Sequence, residues 1–241
     1  MVIMDLPSKT VLRRHLEAAK HCNRLYYDKS EKNIHLIVNP FSRSMHLTVK
    51  GTSTPRHWQN NLMVGVNKHR VHKGFWRYAK ECVKEIRDSH PEFSLSDIYP
   101  GGKLYLSGHS SGSCALTVCL YEMMRNDGVR SMMENWDIEL VMFGSPRPGK
   151  EDFVKEFDEL VRDTSNVNVY RYEVQMDIAS TFPPIPGYAQ VGGNVVQLDN
   201  VILGDPYANH SITNYIRNIE VALENYPDFG YVKSNTENYP D

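Results

Sequence analysis

Residues 103–124, KLYLSGHSSGSCALTVCLYEMM, change character halfway. An alternating apolar run gives way to small and hydroxylic residues, then to an apolar pattern that recurs every three or four positions. The first part reads as a strand, the last as a helix, and the turn between them is only a few residues long. A strand that passes so tightly into a helix is the unit of a layered α/β sheet, and the rest of the chain repeats the alternation.

Before this stretch, residues 10–27 place Leu12, Leu16, Ala19 and Leu25 at helical spacing. NIHLIVN and MHLTVKG read as two short strands around the turn PFSRS, and RHWQNNLMVGVN as a short helix running into a strand. In VHKGFWRYAKECVKEIRDSHP, Phe75, Tyr78, Cys82 and Ile86 share one face and Pro91 lies beyond the end. After it come a buried strand, DIELVMFGSPRPG, a helix carrying Phe153, Phe157, Leu160 and Val161, and a further strand, NVNVYRYEV. Residues 181–206 break the alternation and read as loops around a hairpin. A last helix has Ile212, Tyr215, Ile216, Ile219 and Leu223 on one side. These elements predict an α/β fold with parallel central strands and helices on both faces. Residues 1–241 form a single domain in this reading, with a polar tail over 226–241 in which ENYPD occurs twice.

The turn carries four serines, Ser107, Ser110, Ser111 and Ser113, and Gly108-His109-Ser110-Ser111-Gly112 fits G-x-S-x-G. Only Ser110 has a glycine two positions away on both sides. Such glycines let neighbouring backbones pack closely enough to present the central hydroxyl from a strained turn. The helix beginning just beyond offers N–H groups and a positive dipole end to a developing oxyanion, with Ser111 N–H as the first donor.

A serine hydroxyl is a poor nucleophile until a base takes its proton and a carboxylate orients that base. Downstream of Ser110 the single histidine is His210, whereas His109 is expected to point away from the elbow. The acid is open among Asp177, just past the strand NVNVYRYEV, and Asp199 and Asp205, nearer His210.

The chain resembles the fungal-type, class 3 triacylglycerol lipase family of the α/β-hydrolase fold. The resemblance runs from about Thr48 to Tyr215 and rests on ordered motifs: LTVKGTSTPRHWQNNL, VHKGFWRYA, LYLSGHSSGSCAL, ELVMFGSPRPG, VQMDIASTFPP and NHSITNY. It implies Ser110 as nucleophile, Asp177 as triad acid and His210 as base. It also implies that Thr52 joins Ser111 N–H in the oxyanion hole, and that residues 54–62 form a short lid with Trp58 and Leu62 as apolar positions. The family usually has a larger apolar residue right after the nucleophile and a second glycine further on, where this chain has Ser111 and Ser113. The lid segment RHWQNN is short and polar.

The expected activity is hydrolysis of lipid carboxylic esters through an acyl-enzyme, with no metal or organic cofactor. The acyl groove is expected to be lined by Trp58, Leu62, Phe75, Phe143, Pro184 and Ile185. One rival is an esterase or phospholipase A1 acting on shorter or polar substrates; another is a non-catalytic lipase-like scaffold that binds lipid or a partner. His69 and His72 pair in NKHRVH without a nearby third ligand, so a solvated or hydrogen-bonded role is expected of them rather than a metal site. Ser145 lacks flanking glycines and is expected to shape the floor of the site.

A formal charge of -2 supplies no electrostatic attraction for nucleic acid. The expected partners are a lipid ester and, transiently, a membrane or lipid interface. Cys22, Cys82, Cys114 and Cys119 form no CxxC pair and predict mostly buried, reduced thiols, with a Cys22–Cys82 bridge as the alternative. No apolar h-region forms near the N-terminus and no stretch reaches about 20 apolar residues, so an intracellular location is expected.

Overall fold

A computed structural model describes residues 7–28, 32–51, 65–91, 101–198, 205–226 and 232–233. Ser8 opens the first helix, α1 (Lys9–Tyr27), by accepting Val11 N–H at 3.3 Å. Strands β1 (Ile34–Asn39) and β2 (Ser44–Val49) form an antiparallel pair. Helix α2 (Lys73–Ser89) leads to β3 (Lys103–His109), α3 (Ser111–Arg125), the short α4 (Asp127–Met133) and β4 (Asp137–Phe143). Then follow β5 (Gly149–Lys150), α5 (Glu151–Asp163), β6 (Val167–Val174), a 3-10 turn (Ile178–Thr181), β7 (Tyr188–Ala189) and β8 (Asn194–Leu198). Helices α6 (Pro206–His210) and α7 (Ile212–Glu224) and strand β9 (Val232–Lys233) complete the order.

Among the described residues, seven strands make the main sheet in the order β1-β2-β3-β4-β6-β8-β9. Strands β2, β3, β4, β6 and β8 run parallel, and β1 and β9 close the edges antiparallel. The apolar runs in β3 and β4 suit strands covered on both faces. In β4, Ile138, Leu140 and Met142 pack into one core with Tyr78, Leu116 and Phe153, from α2, α3 and α5. Val141 and Phe143 pack into a second core with Leu12, Leu16 and Ile219, from α1 and α7. The two-residue period of a strand thus divides the helices into two layers.

The face under α1 is unusually polar. Register places His46 beside Tyr105 and Glu139, and Thr48 beside Ser107 and Val141. Arg14 Nε and Nη2 donate to the Glu139 carboxylate at 2.9 and 2.5 Å, and His15 Nδ1 meets the Tyr172 hydroxyl at 2.7 Å. Leu12, Leu16, Ala19 and Leu25 supply the apolar face expected of α1, but His15 and Cys22 are buried with them.

Three expectations need correction. Among the described residues of 181–206, β7 and β8 do not pair as a hairpin: β7 pairs with β5, and β8 joins the main sheet parallel to β6. Val195, Val196 and Leu198 are buried there, and a short apolar run does not reveal which strand it will pair with. Helix α4 has no counterpart in the sequence reading, because it is seven residues long; Asn126 Oδ1 caps it by accepting Val129 N–H at 3.1 Å. Within the polar tail, Val232–Lys233 pairs with β8. The expected helix in 56–67 falls largely on 52–64, outside the described residues, while Val66 bridges His72.

All four cysteines are free thiols, which excludes the Cys22–Cys82 bridge. Among the described residues, no helix is long and apolar enough to cross a membrane.

Candidate active site

The site is assembled where β3, β4 and β6 end. Ser110 follows β3 with φ +57° and ψ -132°, a region rarely occupied by a residue with a side chain. The flanking glycines explain how this turn fits. A Cβ on Gly108 would come within 2.6 Å of Ser113 N, and one on Gly112 within 2.6 Å of Lys50 O. Ser113 is buried at the place where glycine was the expected residue, and its hydroxyl donates to Gly108 O at 2.7 Å. Ser111 opens α3, so its N–H lies at the positive end of that helix.

Ser110 Oγ lies 2.9 Å from His210 Nε2, and His210 Nδ1 lies 2.9 Å from Asp177 Oδ2. Asp177 caps the 3-10 turn, its Oδ1 accepting Ala179 N–H at 2.8 Å. Its Oδ2 also accepts the Tyr215 hydroxyl at 2.6 Å. Burial pushes the Asp177 carboxyl up. Hydrogen bonding and charge from His210, with the donors Tyr215 and Ala179, outweigh that and hold it below the ordinary carboxylate value. A carboxylate on Nδ1 sets the tautomer: Nδ1 donates, and Nε2 is left to accept the Ser110 proton.

Of the three acids open in the sequence, Asp177 is the one that meets His210. Asp205 instead caps α6, accepting Tyr207 N–H at 3.0 Å and Ala208 N–H at 2.9 Å. Asp199 lies outside the described residues, as do Thr52, Trp58, Leu62 and the rest of the expected lid.

The expected groove residues separate. Phe143 is wholly buried against Tyr172 and Tyr215, and Phe75 is buried beside His72. Pro184 and Ile185 are exposed on the loop after the 3-10 turn. That loop is held to the end of β4 by Arg147 N–H donating to Phe182 O at 2.7 Å. Ser145 is buried, with its hydroxyl on Pro146 O at 3.1 Å. His72 caps α2, accepting Gly74 N–H at 3.1 Å, and His69 stacks on Trp76.

Four residues at the site escaped the sequence reading or received a smaller role in it. Tyr215 appeared only as an apolar helix position. Gly144, with φ +55°, lets the chain pass under the triad: a Cβ there would sit 2.8 Å from Asp177 Oδ2 and 3.0 Å from His210 Nδ1. His109 does turn from Ser110, but it stacks on His210 with ring centroids 4.8 Å apart. Tyr26, at the end of α1, reaches His109. The G and S of MFGSPRPG and the aromatic in NHSITNY were visible, yet nothing local marks which neighbour they approach.

Residues 46–187 match the family model for Lipase (class 3). Among solved structures, the chain is similar to the Lip2 lipase of Yarrowia lipolytica, at 16% identity with a TM-score of 0.61, covering 87% of this chain and 85% of that one. It is also similar to the Rhizomucor miehei triacylglyceride lipase, at 18% identity and a TM-score of 0.57, covering 83% and 84%. A lipase from Rhizopus microsporus var. chinensis aligns at 18% identity and a TM-score of 0.59, covering 83% and 78%. A comparison with curated protein sequences finds no match. At these identities the structural likeness speaks to the fold, and that fold is the α/β-hydrolase fold.

Proposed function

Since the chain belongs to the class 3 lipase family and is a carboxylic ester hydrolase, we propose that it cleaves lipid esters through an acyl-enzyme on Ser110. The supporting observation is the unbroken path from Ser110 Oγ to His210 Nε2 and from His210 Nδ1 to Asp177 Oδ2, both steps 2.9 Å.

Ser110 Oγ attacks the acyl carbonyl carbon as its proton passes to His210 Nε2, and the carbonyl π pair moves onto oxygen. The resulting oxyanion is held by Ser111 N–H and by Thr52, the family's position for a second donor. On collapse the carbon–alkoxide bond breaks, and His210 delivers its proton to the leaving alcohol. Water, deprotonated by His210, then attacks the acyl carbon; the bond to Ser110 Oγ breaks, His210 returns the proton to Ser110, and the acid leaves. Asp177 keeps the imidazole oriented and balances its positive charge in both half-reactions. One α/β-hydrolase domain supplies all of these groups.

The test is hydrolysis of p-nitrophenyl esters from acetate to palmitate by wild type and Ser110→Ala. Wild type is expected to turn over, and the variant to lose about 10⁴-fold or more in kcat. Equal rates in the two proteins would sink the mechanism, and absence of turnover in both would favour a binding scaffold. The polar sequence of residues 56–61, RHWQNN, favours a second reading as an esterase or phospholipase A1 on shorter or polar substrates. A rate maximum at short acyl chains selects it.

A further inference from the structure

His109 is buried and has a hydrogen-bond partner on each ring nitrogen. Its Nε2 lies 2.8 Å from the backbone oxygen of His210, and its Nδ1 lies 2.6 Å from the Tyr26 hydroxyl. That hydroxyl in turn lies 2.8 Å from Gly51 N.

A backbone carbonyl accepts and never donates, so Nε2 carries the proton and Nδ1 of the neutral ring is an acceptor. Tyr26 must therefore donate to Nδ1, which leaves its oxygen to accept Gly51 N–H. Burial, with the neighbouring His210, pushes His109 down to about 3, in keeping with a neutral ring. The chain of bonds runs in one direction, from the end of β2 through α1 and the end of β3 to the last residue of α6.

Its endpoints make it more than a core contact. His210 is the last residue of α6, and its carbonyl oxygen accepts from the residue before Ser110. Ser110 and His210 are thus joined twice, once through their side chains and once through His109 and the His210 backbone. Gly51 immediately precedes Thr52.

We infer that Tyr26 and His109 are positioning residues for ester hydrolysis, holding the His210 backbone in register with Ser110 and with the strand end leading to Thr52. The inference rests on Ser110 and His210 acting as proposed above. A role that acts through the His210 backbone should fall on kcat and spare KM.

The experiment compares wild type, Tyr26→Phe, His109→Leu, His109→Gln and Ser110→Ala on p-nitrophenyl butyrate. Active sites are counted by stoichiometric labelling with diethyl p-nitrophenyl phosphate. Tyr26→Phe keeps the ring and deletes only the relay hydroxyl; about a tenfold loss of kcat per labelled site is expected, with KM within about twofold. His109→Leu cannot donate to His210 O and should lose at least as much. His109→Gln retains a side-chain N–H donor and should recover to within about threefold of wild type.

A purely structural role would lower the number of labelled sites while leaving kcat per site unchanged. That result, or wild-type kcat per site in both Tyr26→Phe and His109→Leu, overturns the inference while Ser110→Ala stays inactive. Activity in Ser110→Ala would instead overturn the catalytic reading, and the inference with it.

Discussion

Tyr215 and His210 address the same oxygen of Asp177: the phenol donates to Oδ2 at 2.6 Å and His210 Nδ1 meets it at 2.9 Å. The phenol oxygen also accepts Val174 N–H at 3.3 Å, which anchors it to the end of β6. Removing it in Tyr215→Phe strips the buried carboxylate of a donor, an effect of about 1.5–3 kcal/mol. Because the lost donor favoured the ionised form, the Asp177 carboxyl moves up in the variant. The acid limb of the pH profile of kcat/KM should shift to higher pH, with a loss of about tenfold at neutral pH. An unshifted limb would show that the phenol leaves Asp177 untouched.

Gly144→Ala places a methyl group against Asp177 and His210 at a positive φ. Since a displacement of about 1 Å can cost about 100-fold in rate, kcat should fall by that order. The backbone should keep its helix and strand content by far-UV circular dichroism, because the clash is with side-chain atoms and not with backbone. Near-native kcat would mean that the triad can shift around the methyl group.

Ser113→Ala deprives Gly108 O of the hydroxyl donor on it, in a buried turn. A loss of about 1 kcal/mol in unfolding free energy is expected by urea titration, with kcat within a few-fold of wild type. Ser113→Gly should lose more, through the added backbone freedom.

Glu139 connects acid stability to the seating of α1. Burial pushes its carboxyl up, but the nearby His15 imidazole, with Nε2 3.1 Å from Oε1, and the hydrogen bonds and charge of Arg14 bring it down to about 2 from 4.5. With the folded value depressed, the stabilisation is fully present above pH 4.5 and is lost as pH falls toward 2. Its size is on the order of 3 kcal/mol. Glu139→Gln should be less stable at pH 7 and show a flatter loss between pH 4.5 and 2, measured by urea midpoints across that range.

The parallel strands were legible because β3 alternates apolar residues and β4 is mostly apolar between turn residues, and the elbow because its glycines are local to Ser110. His210 was reached by elimination, and the structure places it 2.9 Å from Ser110. The acid could not be chosen locally, since Asp177 stands 33 residues from His210, and the packing of β6 against α7 and of the 3-10 turn against α6 decides which carboxylate meets the imidazole. Tyr26, His109 and Gly144 were beyond reach for the same reason. Their roles depend on which backbone comes close, and a single strand or helix does not encode that. The place of β8 was missed because a five-residue strand with three apolar positions fits a hairpin and a parallel strand equally well.

The polar seat of α1 has a mechanical consequence. Greasy surfaces tolerate sliding, whereas a helix whose Arg14 and His15 must meet Glu139 has one seating depth. Moving it by one turn, about 5.4 Å, would strand Glu139 at one end and pull Tyr26 from His109 at the other. Helix α1 therefore works as a keyed bolt: the distance from Glu139 to His109 sets how far it goes home.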